Sequence, residues 1–179
     1  MFAVAGISLR ITGADSNDPK DIAKEFGHPG ESAVRWEPEA LAGTGIKLAI
    51  GRRGDGKPMI LHYGAGVGGG RTFTSGWAVE SELLRTETGD ALVGVTIPEA
   101  AAVRFGKGRD ALRAPTAPMP GDSSKRVFAV HVPVDGLSLV HANDIVALDA
   151  QGRLLGRQHV NDGRGGFGAY DGIYDRKWR

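Results

Sequence analysis

The segment IVALDAQGRLLGR, residues 145–157, decides the fold class that the sequence predicts. An apolar, β-branched run is followed by AQG at residues 150–152 and then by a second run. Two such runs joined by a short glycine-bearing loop are typical of a β-hairpin. Upstream, VFAVHV at residues 127–132 alternates between the two faces of a strand. We predict that residues 127–132 and 145–148 are interior strands, so Val146→Asp should cost on the order of 3 kcal/mol or more.

More strands are predicted outward from this segment. IKLAI (46–50) and MILHY (59–63) flank an Asp-Gly step, which is a strong hairpin signal. LVGVTI (92–97) reads as a strand that Pro98 stops. Residues 102–105 and 109–113 flank a Gly-Lys-Gly turn and predict another hairpin. Residues 115–124 hold Pro, Gly and Ser and predict a mobile loop.

The N-terminal part of the chain differs from this pattern. Residues 1–9 are apolar and predict a first strand or, alternatively, the outer end of a membrane anchor, since a span needs about 20 residues. Pro19 predicts the start of a short helix over residues 20–26, and residues 37–41 predict a second helical turn.

The fold class is therefore mainly β: an antiparallel sandwich or open barrel with one or two short N-terminal helices. The predicted segments are an N-terminal strand and helix region (1–45), a β-rich domain (46–160) and a glycine-rich, aromatic and basic tail (161–179).

Composition excludes several classes of function. The chain of 179 residues has no cysteine, which excludes disulfides, thiolate catalysis, zinc-thiolate sites and iron–sulfur clusters. The formal charge of +1 excludes a strongly basic protein that binds polyanions over its whole surface. Residues 1–45 carry four Lys/Arg and seven Asp/Glu (−3), whereas residues 151–179 carry six and three (+3), so the C-terminal end could favour an acidic partner.

The glycine run GAGVGGG, residues 64–70, follows a strand as a dinucleotide-binding loop would. RTFTSG at residues 71–76 is a poor start for the helix that such a loop requires. We therefore predict a mobile or bulged hairpin connection without a phosphate ligand.

No catalytic residue, cofactor or metal is predicted. Ser75 does not lie in a Gly-x-Ser-x-Gly elbow. A catalytic base could come from any of four histidines, and their spacing selects none of them: His62, His131, His141 and His159. The oxygen-rich segments at residues 15–18 and 141–144 are interpreted as a solvated turn and a loop cap, because neither has the pattern of a calcium loop.

The tail carries the candidate partner-binding residues. Its aromatic rings lie among cations, a mixture that suits docking on a protein partner or on a sister subunit in a homo-oligomer. The residues concerned are Arg164, Phe167, Tyr170, Tyr174 and Trp178. A single Arg-Gly-Gly-Phe unit at residues 164–167 is a weak signal for nucleic-acid binding.

A resemblance rests on the order of several phrases: RRGDGKPMIL (52–61), the glycine run, VGVTIP (93–98), RVFAVHVP (126–133) and IVALDAQGRLLG (145–156). In this order the chain resembles the ectodomains of uncharacterised membrane-anchored proteins of high-GC Gram-positive bacteria. Members often carry a cysteine pair beside the glycine run, where this chain has Met59 and residues 71–73. The resemblance implies an N-terminal anchor, a β-rich extracytoplasmic domain that is membrane-anchored or secreted, and no enzymatic activity. The alternative location, without the resemblance, is the cytoplasm.

The favoured interpretation is a non-catalytic accessory, sensory or scaffold domain that presents loops to a partner. One alternative is a hydrolase or transferase with a site assembled from dispersed His, Asp and Ser residues. A second alternative is a nucleic-acid or polyanion binder that uses the tail. A concave pocket joining His62, His131 or His141 to a carboxylate would favour the enzyme.

Overall fold

The computed structural model of the chain describes residues 18–73, 77–86, 88–105, 111–133 and 144–159. They form one short helix, α1 (Pro19–Glu25), a 3-10 helix (Glu39–Leu41) and twelve strands. The strands are β1 (Ser32–Trp36), β2 (Lys47–Arg52), β3 (Pro58–Gly64), β4 (Val67–Thr72), β5 (Val79–Thr86), β6 (Gly89–Thr96), β7 (Ala102–Phe105), β8 (Leu112–Pro115), β9 (Ala117–Met119), β10 (Asp122–Pro133), β11 (Asp144–Leu148) and β12 (Leu154–His159).

The strands form three four-stranded antiparallel sheets. Sheet A has the order β1-β2-β3-β4, sheet B the order β5-β6-β10-β9, and sheet C the order β12-β11-β7-β8. Every described pair is antiparallel. The mainly β, sandwich-like class with a short N-terminal helix is therefore confirmed, and the described strands do not close into a barrel.

Sheet B is the middle layer, because its two faces contribute to two different cores. Val93 and Val127 pack with residues of sheet A, whereas Leu92 and Phe128 pack with residues of sheet C. The side chains of β6 are consequently buried without interruption from Ala91 to Thr96. Gly94 lies opposite Phe128 in the register, and a Cβ there would approach the Phe128 ring to 2.7 Å, so the glycine makes room for this ring.

Helix α1 covers the opposite face of sheet A. Asp18 caps it by accepting a hydrogen bond from the Lys20 N–H at 2.8 Å, and Pro19 occupies its first turn. Ile22 and Phe26 pack against sheet residues such as Leu61. The predicted helix is confirmed, as is the helical turn within residues 37–41. No helix in the described part of the chain has the length and apolar character needed to cross a bilayer.

The glycine run is predicted to be a mobile or bulged hairpin connection; it does form a hairpin, but most of its length is a paired strand and not a mobile connection. Ala65 (φ 51°) and Gly66 (φ 80°) form a two-residue hairpin turn, and β4 then pairs with β3 along its full length. The sequence predicts a loop over the three glycines of β4 because residues without side chains give no alternating apolar pattern. In the structure, the missing side chain at Gly70 leaves room for Leu61 and His28.

The mobile loop predicted for residues 115–124 is also wrong. These residues contain the end of β8, the edge strand β9 and the start of β10, joined by a tight turn with Gly121 at φ 73°. Pro118 is accommodated because β9 lies at the edge of sheet B. Asp122 fixes the turn by accepting hydrogen bonds from the Ser124 N–H and Oγ at 3.0 and 2.6 Å.

The two predicted interior strands are confirmed, since β10 and β11 each pair on both sides. Val146 differs from the prediction in its surroundings. Ile145 and Ala147 lie in the core between sheets B and C, so Val146 faces the other side of sheet C. Val146 is 6% exposed and lies between Arg104 and Arg157 in the register. The cost of Val146→Asp expected from the sequence therefore has to be revised.

Candidate functional site

A half-open depression of about 1090 Å³ lies where β1 ends and β2 begins. Its lining comes from the end of α1, the end of β1, the β1–β2 connection (residues 37–46) and the start of β2. Apolar side chains and charged side chains both contribute: Trp36, Leu41, Ile46 and Leu48 on one hand, and Glu25, Arg35, Glu37, Glu39 and Lys47 on the other.

The β1–β2 connection has a fixed backbone. Pro38 is extended (φ −69°, ψ 134°) and precedes the 3-10 helix, in which the Leu41 N–H donates to the Pro38 carbonyl at 2.9 Å. The Thr44 hydroxyl then donates to the Leu41 carbonyl at 2.8 Å and accepts from the Ile46 N–H at 3.2 Å. Leu41 and Ile46 are both buried in the core between sheets A and B. The connection is thus anchored at two points and hydrogen-bonded between them.

Glu25 and two cations in the lining of the depression are paired with each other. Arg35 Nη2 donates to Glu25 Oε2 at 2.7 Å, and Lys47 Nζ lies 3.7 Å from Glu25 Oε1. The hydrogen bond from Arg35 holds the pKa of Glu25 below its usual range. Both cations of the depression are therefore directed to a single carboxylate.

Glu37 and Glu39 also line the depression, and this pair is called its acidic rim below. Both are exposed, and neither has a hydrogen bond or an ion pair with the residues that the structure describes. Trp36 is half-buried, and it lies opposite Leu48 in the register. The depression thus combines an aromatic and aliphatic floor with an acidic rim whose charges are not neutralised within the described chain.

His62 is the sequence candidate that the structure brings near a carboxylate. Its Nε2 lies 3.6 Å from Oε2 of Glu82, and the side chains are 8% and 25% exposed. The register places the imidazole on the face of sheet A that packs on sheet B, directly beside Gly69. This histidine–carboxylate pair is buried between two sheets and does not line the depression. Ser81, next to Glu82, faces sheet C instead and donates to Gln158 Oε1 at 2.8 Å.

The other sequence candidates are not brought together. His131 lies in β10, and its buried Nε2 has no hydrogen-bond partner among the described residues. Of the segment at residues 15–18, the structure describes Asp18 alone, which caps α1. Within the described ranges, no three His, Asp or Glu side chains are placed to hold a metal ion. Ser75, His141, the strand predicted over residues 1–9 and the five tail residues proposed to bind a partner lie outside the described residues.

Sequence reasoning interpreted residues 37–41 as a helical turn and did not identify the depression. A signal for it was present in Trp36-Glu37-Pro38-Glu39, where one large ring precedes two acids around a proline. Comparisons with protein-family models, with curated proteins and with solved structures found no match to this chain.

Proposed function

We propose that this protein is a non-catalytic accessory or scaffold domain that binds a protein partner through the β1–β2 connection. The segment it accepts carries a large apolar side chain flanked by Lys or Arg. The observation that carries the proposal is that one depression is lined both by the buried or half-buried apolar side chains of Trp36 and Leu41 and by the exposed carboxylates of Glu37 and Glu39.

The shape and the rigidity of the depression support this proposal. Pockets that hold small ligands enclose roughly 300–1,000 Å³. At about 1090 Å³, the depression is at the upper end of this range and has room for one or two large side chains together with solvent. A connection that is already hydrogen-bonded and anchored loses little conformational entropy when a partner binds. Partly buried tryptophans surrounded by polar rims are frequent energetic centres of interfaces.

The test is calorimetric titration of the full chain with two synthetic peptides. In the first peptide, one tryptophan is flanked on each side by a lysine and an arginine; in the second, glutamates replace these four cations. We expect the basic peptide to bind and the acidic peptide not to bind. The variant Glu37→Gln/Glu39→Gln should weaken binding of the basic peptide by about fivefold, since two exposed ion pairs contribute about 1 kcal/mol together.

The matched control is Glu31→Gln/Glu99→Gln, which removes the same charge elsewhere. It should leave the affinity unchanged within about twofold. Equal binding of both peptides, or an equal loss in both variants, would contradict the proposal because binding would not depend on the acidic rim.

We also propose that the domain is extracytoplasmic, on the basis of the phrases in residues 52–156 that resemble anchored ectodomains. Fractionation of cells that express the complete gene, with an antibody to this domain, tests it. Recovery with the cell envelope or in the medium is expected, and recovery with the cytoplasmic fraction would contradict it.

A further inference from the structure

A row of arginines crosses the outer face of sheet C, the face directed away from sheet B. Arg157 in β12 lies opposite Val146 in β11, Val146 lies opposite Arg104 in β7, and Arg104 lies opposite Arg113 in β8. Neighbouring strands are about 4.8 Å apart, so three arginine positions lie in one row across the four strands.

The direction of these side chains follows from the core. Val103, Phe105 and Ala114 belong to the core between sheets B and C, and successive side chains of a strand point to opposite faces. Arg104 and Arg113 therefore point away from sheet B, and both are exposed. Gly156 faces Ala78 in the core between sheets B and C, so the next residue, Arg157, points to the outer face. Arg157 is partly exposed.

The pair Arg104–Arg113 is unfavourable for the fold alone. Like charges directly opposite each other on an antiparallel pair are destabilising. Neither arginine has a hydrogen bond or an ion pair with any residue that the structure describes. Two unpaired guanidinium groups at directly opposite positions can bind a carboxylate, because guanidinium groups bind carboxylates with paired hydrogen bonds.

The surroundings of the row indicate what kind of anion fits. The neighbouring row on the same face holds four aliphatic residues, Leu154, Leu148, Ala102 and Pro115. Leu148 and Ala102 are buried, so the accessible members are Leu154 and Pro115 on the two outer strands. Within the described part of this face there is no aromatic ring on which a nucleic-acid base could stack, and single-stranded nucleic acids are bound largely by such stacking. Acidic protein segments carry both carboxylates and aliphatic side chains, so they fit an arginine row that lies beside aliphatic residues.

We propose that the outer face of sheet C is a second interaction surface, which binds an acidic protein segment with Arg104 and Arg113 as its central anchors. Sheet C lies on the other side of sheet B from sheet A, so this surface is separate from the depression. The two surfaces prefer partners of opposite charge: the depression a basic segment, and the arginine row an acidic one.

The test uses the full chain and a fluorescent nine-residue peptide that alternates glutamate and leucine between two glycines. Fluorescence anisotropy measures its affinity beside that of a matched glutamine–leucine peptide and of a single-stranded oligothymidine. We expect the glutamate peptide to bind most tightly, with an affinity that falls as salt is added, because exposed ion pairs are screened. The variant Arg104→Gln/Arg113→Gln should weaken this binding at least about tenfold.

Two further variants make the result specific. Lys24→Gln/Arg53→Gln removes the same charge from α1 and from the β2–β3 turn, and should change the affinity less than about twofold. Arg113→Glu places a carboxylate opposite Arg104; it should abolish peptide binding while the melting temperature stays the same or rises. Equal losses in the two double variants, tighter binding of the oligothymidine, or no binding of the glutamate peptide at millimolar concentration would overturn the proposal.

Discussion

Two neighbouring residues of β11 should lose very different amounts of stability on the same substitution. Ile145 is 0% exposed and packs in the core between sheets B and C. Val146 is 6% exposed but faces the other side of the sheet, between Arg104 and Arg157. Both are buried, β-branched and one residue apart, so a burial value alone predicts similar costs for an aspartate at either position.

The magnitudes differ because the two carboxylates would meet different partners. Ile145→Asp removes an aliphatic side chain worth about 2–3 kcal/mol and leaves a charge unpaired in the core, for a total of about 5 kcal/mol. Val146→Asp removes about 2 kcal/mol of apolar burial, and an ion pair with Arg104, the exposed arginine directly opposite, offsets about 1 kcal/mol. We expect Val146→Asp to cost about 1 kcal/mol, well below the 3 kcal/mol or more expected from the sequence alone.

Urea unfolding at 25 °C, followed by circular dichroism, measures both free energies. Ile145→Ala, expected to cost about 2–5 kcal/mol, keeps the comparison measurable if Ile145→Asp does not fold. A cost for Val146→Asp equal to or above that of Ile145→Ala would show that Val146 faces the core. It would also refute the orientation of sheet C from which the arginine row is derived.

Three other predictions concern the glycine run, a turn and the tail. Gly70→Ala should destabilise the fold by about 1–3 kcal/mol through overpacking, because its Cβ would approach a Leu61 methyl group to 2.6 Å. The matched control is Gly68→Ala, whose Cβ meets nothing within 4 Å and which should change the melting temperature little. The hydrogen bond from Ser124 holds the pKa of Asp122 in the folded protein below the ordinary 3.8. The stabilisation that ionised Asp122 gives the fold is therefore present above pH 3.8 and is lost as the pH falls through the lower folded pKa. The loss of unfolding free energy caused by Asp122→Asn, measured with urea, should become smaller and not larger below pH 3.8. A chain ending at Asp162 should keep its melting temperature but lose any self-association seen by light scattering, and unfolding of the truncated chain would contradict this.

The turns and caps were the most predictable parts of the fold, because their signals are local. Asp55-Gly56 forms the predicted β2–β3 turn, with Gly56 at φ 81° and the Asp55 carboxylate accepting from the Lys57 N–H. Gly152, at φ 78°, closes the β11–β12 hairpin in the same way. Each signal acts within about five residues, so no knowledge of the tertiary structure is needed.

Strand β5 was missed for the opposite reason. Its sequence, VESELLRT, has no clear alternation of apolar and polar residues. Glu82 points into the space between sheets A and B, where it meets His62, and the acidic residue Glu80 is buried. Alternation predicts a strand only when one face meets solvent, and β5 is covered on both faces.

The predicted hairpin of residues 102–113 already brings β7 and β8 together, but the depression and the place of Arg157 in the arginine row depend on strand pairings that no local signal predicts. Arg104 and Arg157 are more than fifty positions apart, and they share one row only because β11 pairs with both β7 and β12. Trp36 and Leu48 meet because β1 and β2 pair across a ten-residue connection. Local sequence patterns contain no information about such pairings.

The most direct test of the proposed function is a titration of the ¹⁵N-labelled full chain with the basic tryptophan peptide, followed by amide chemical shifts. We expect the largest changes at residues 36–48, smaller changes at the end of α1, and no systematic changes in sheet C. Changes that centre on another surface, or no saturable change at residues 36–48, would contradict the claim that the depression is the binding site.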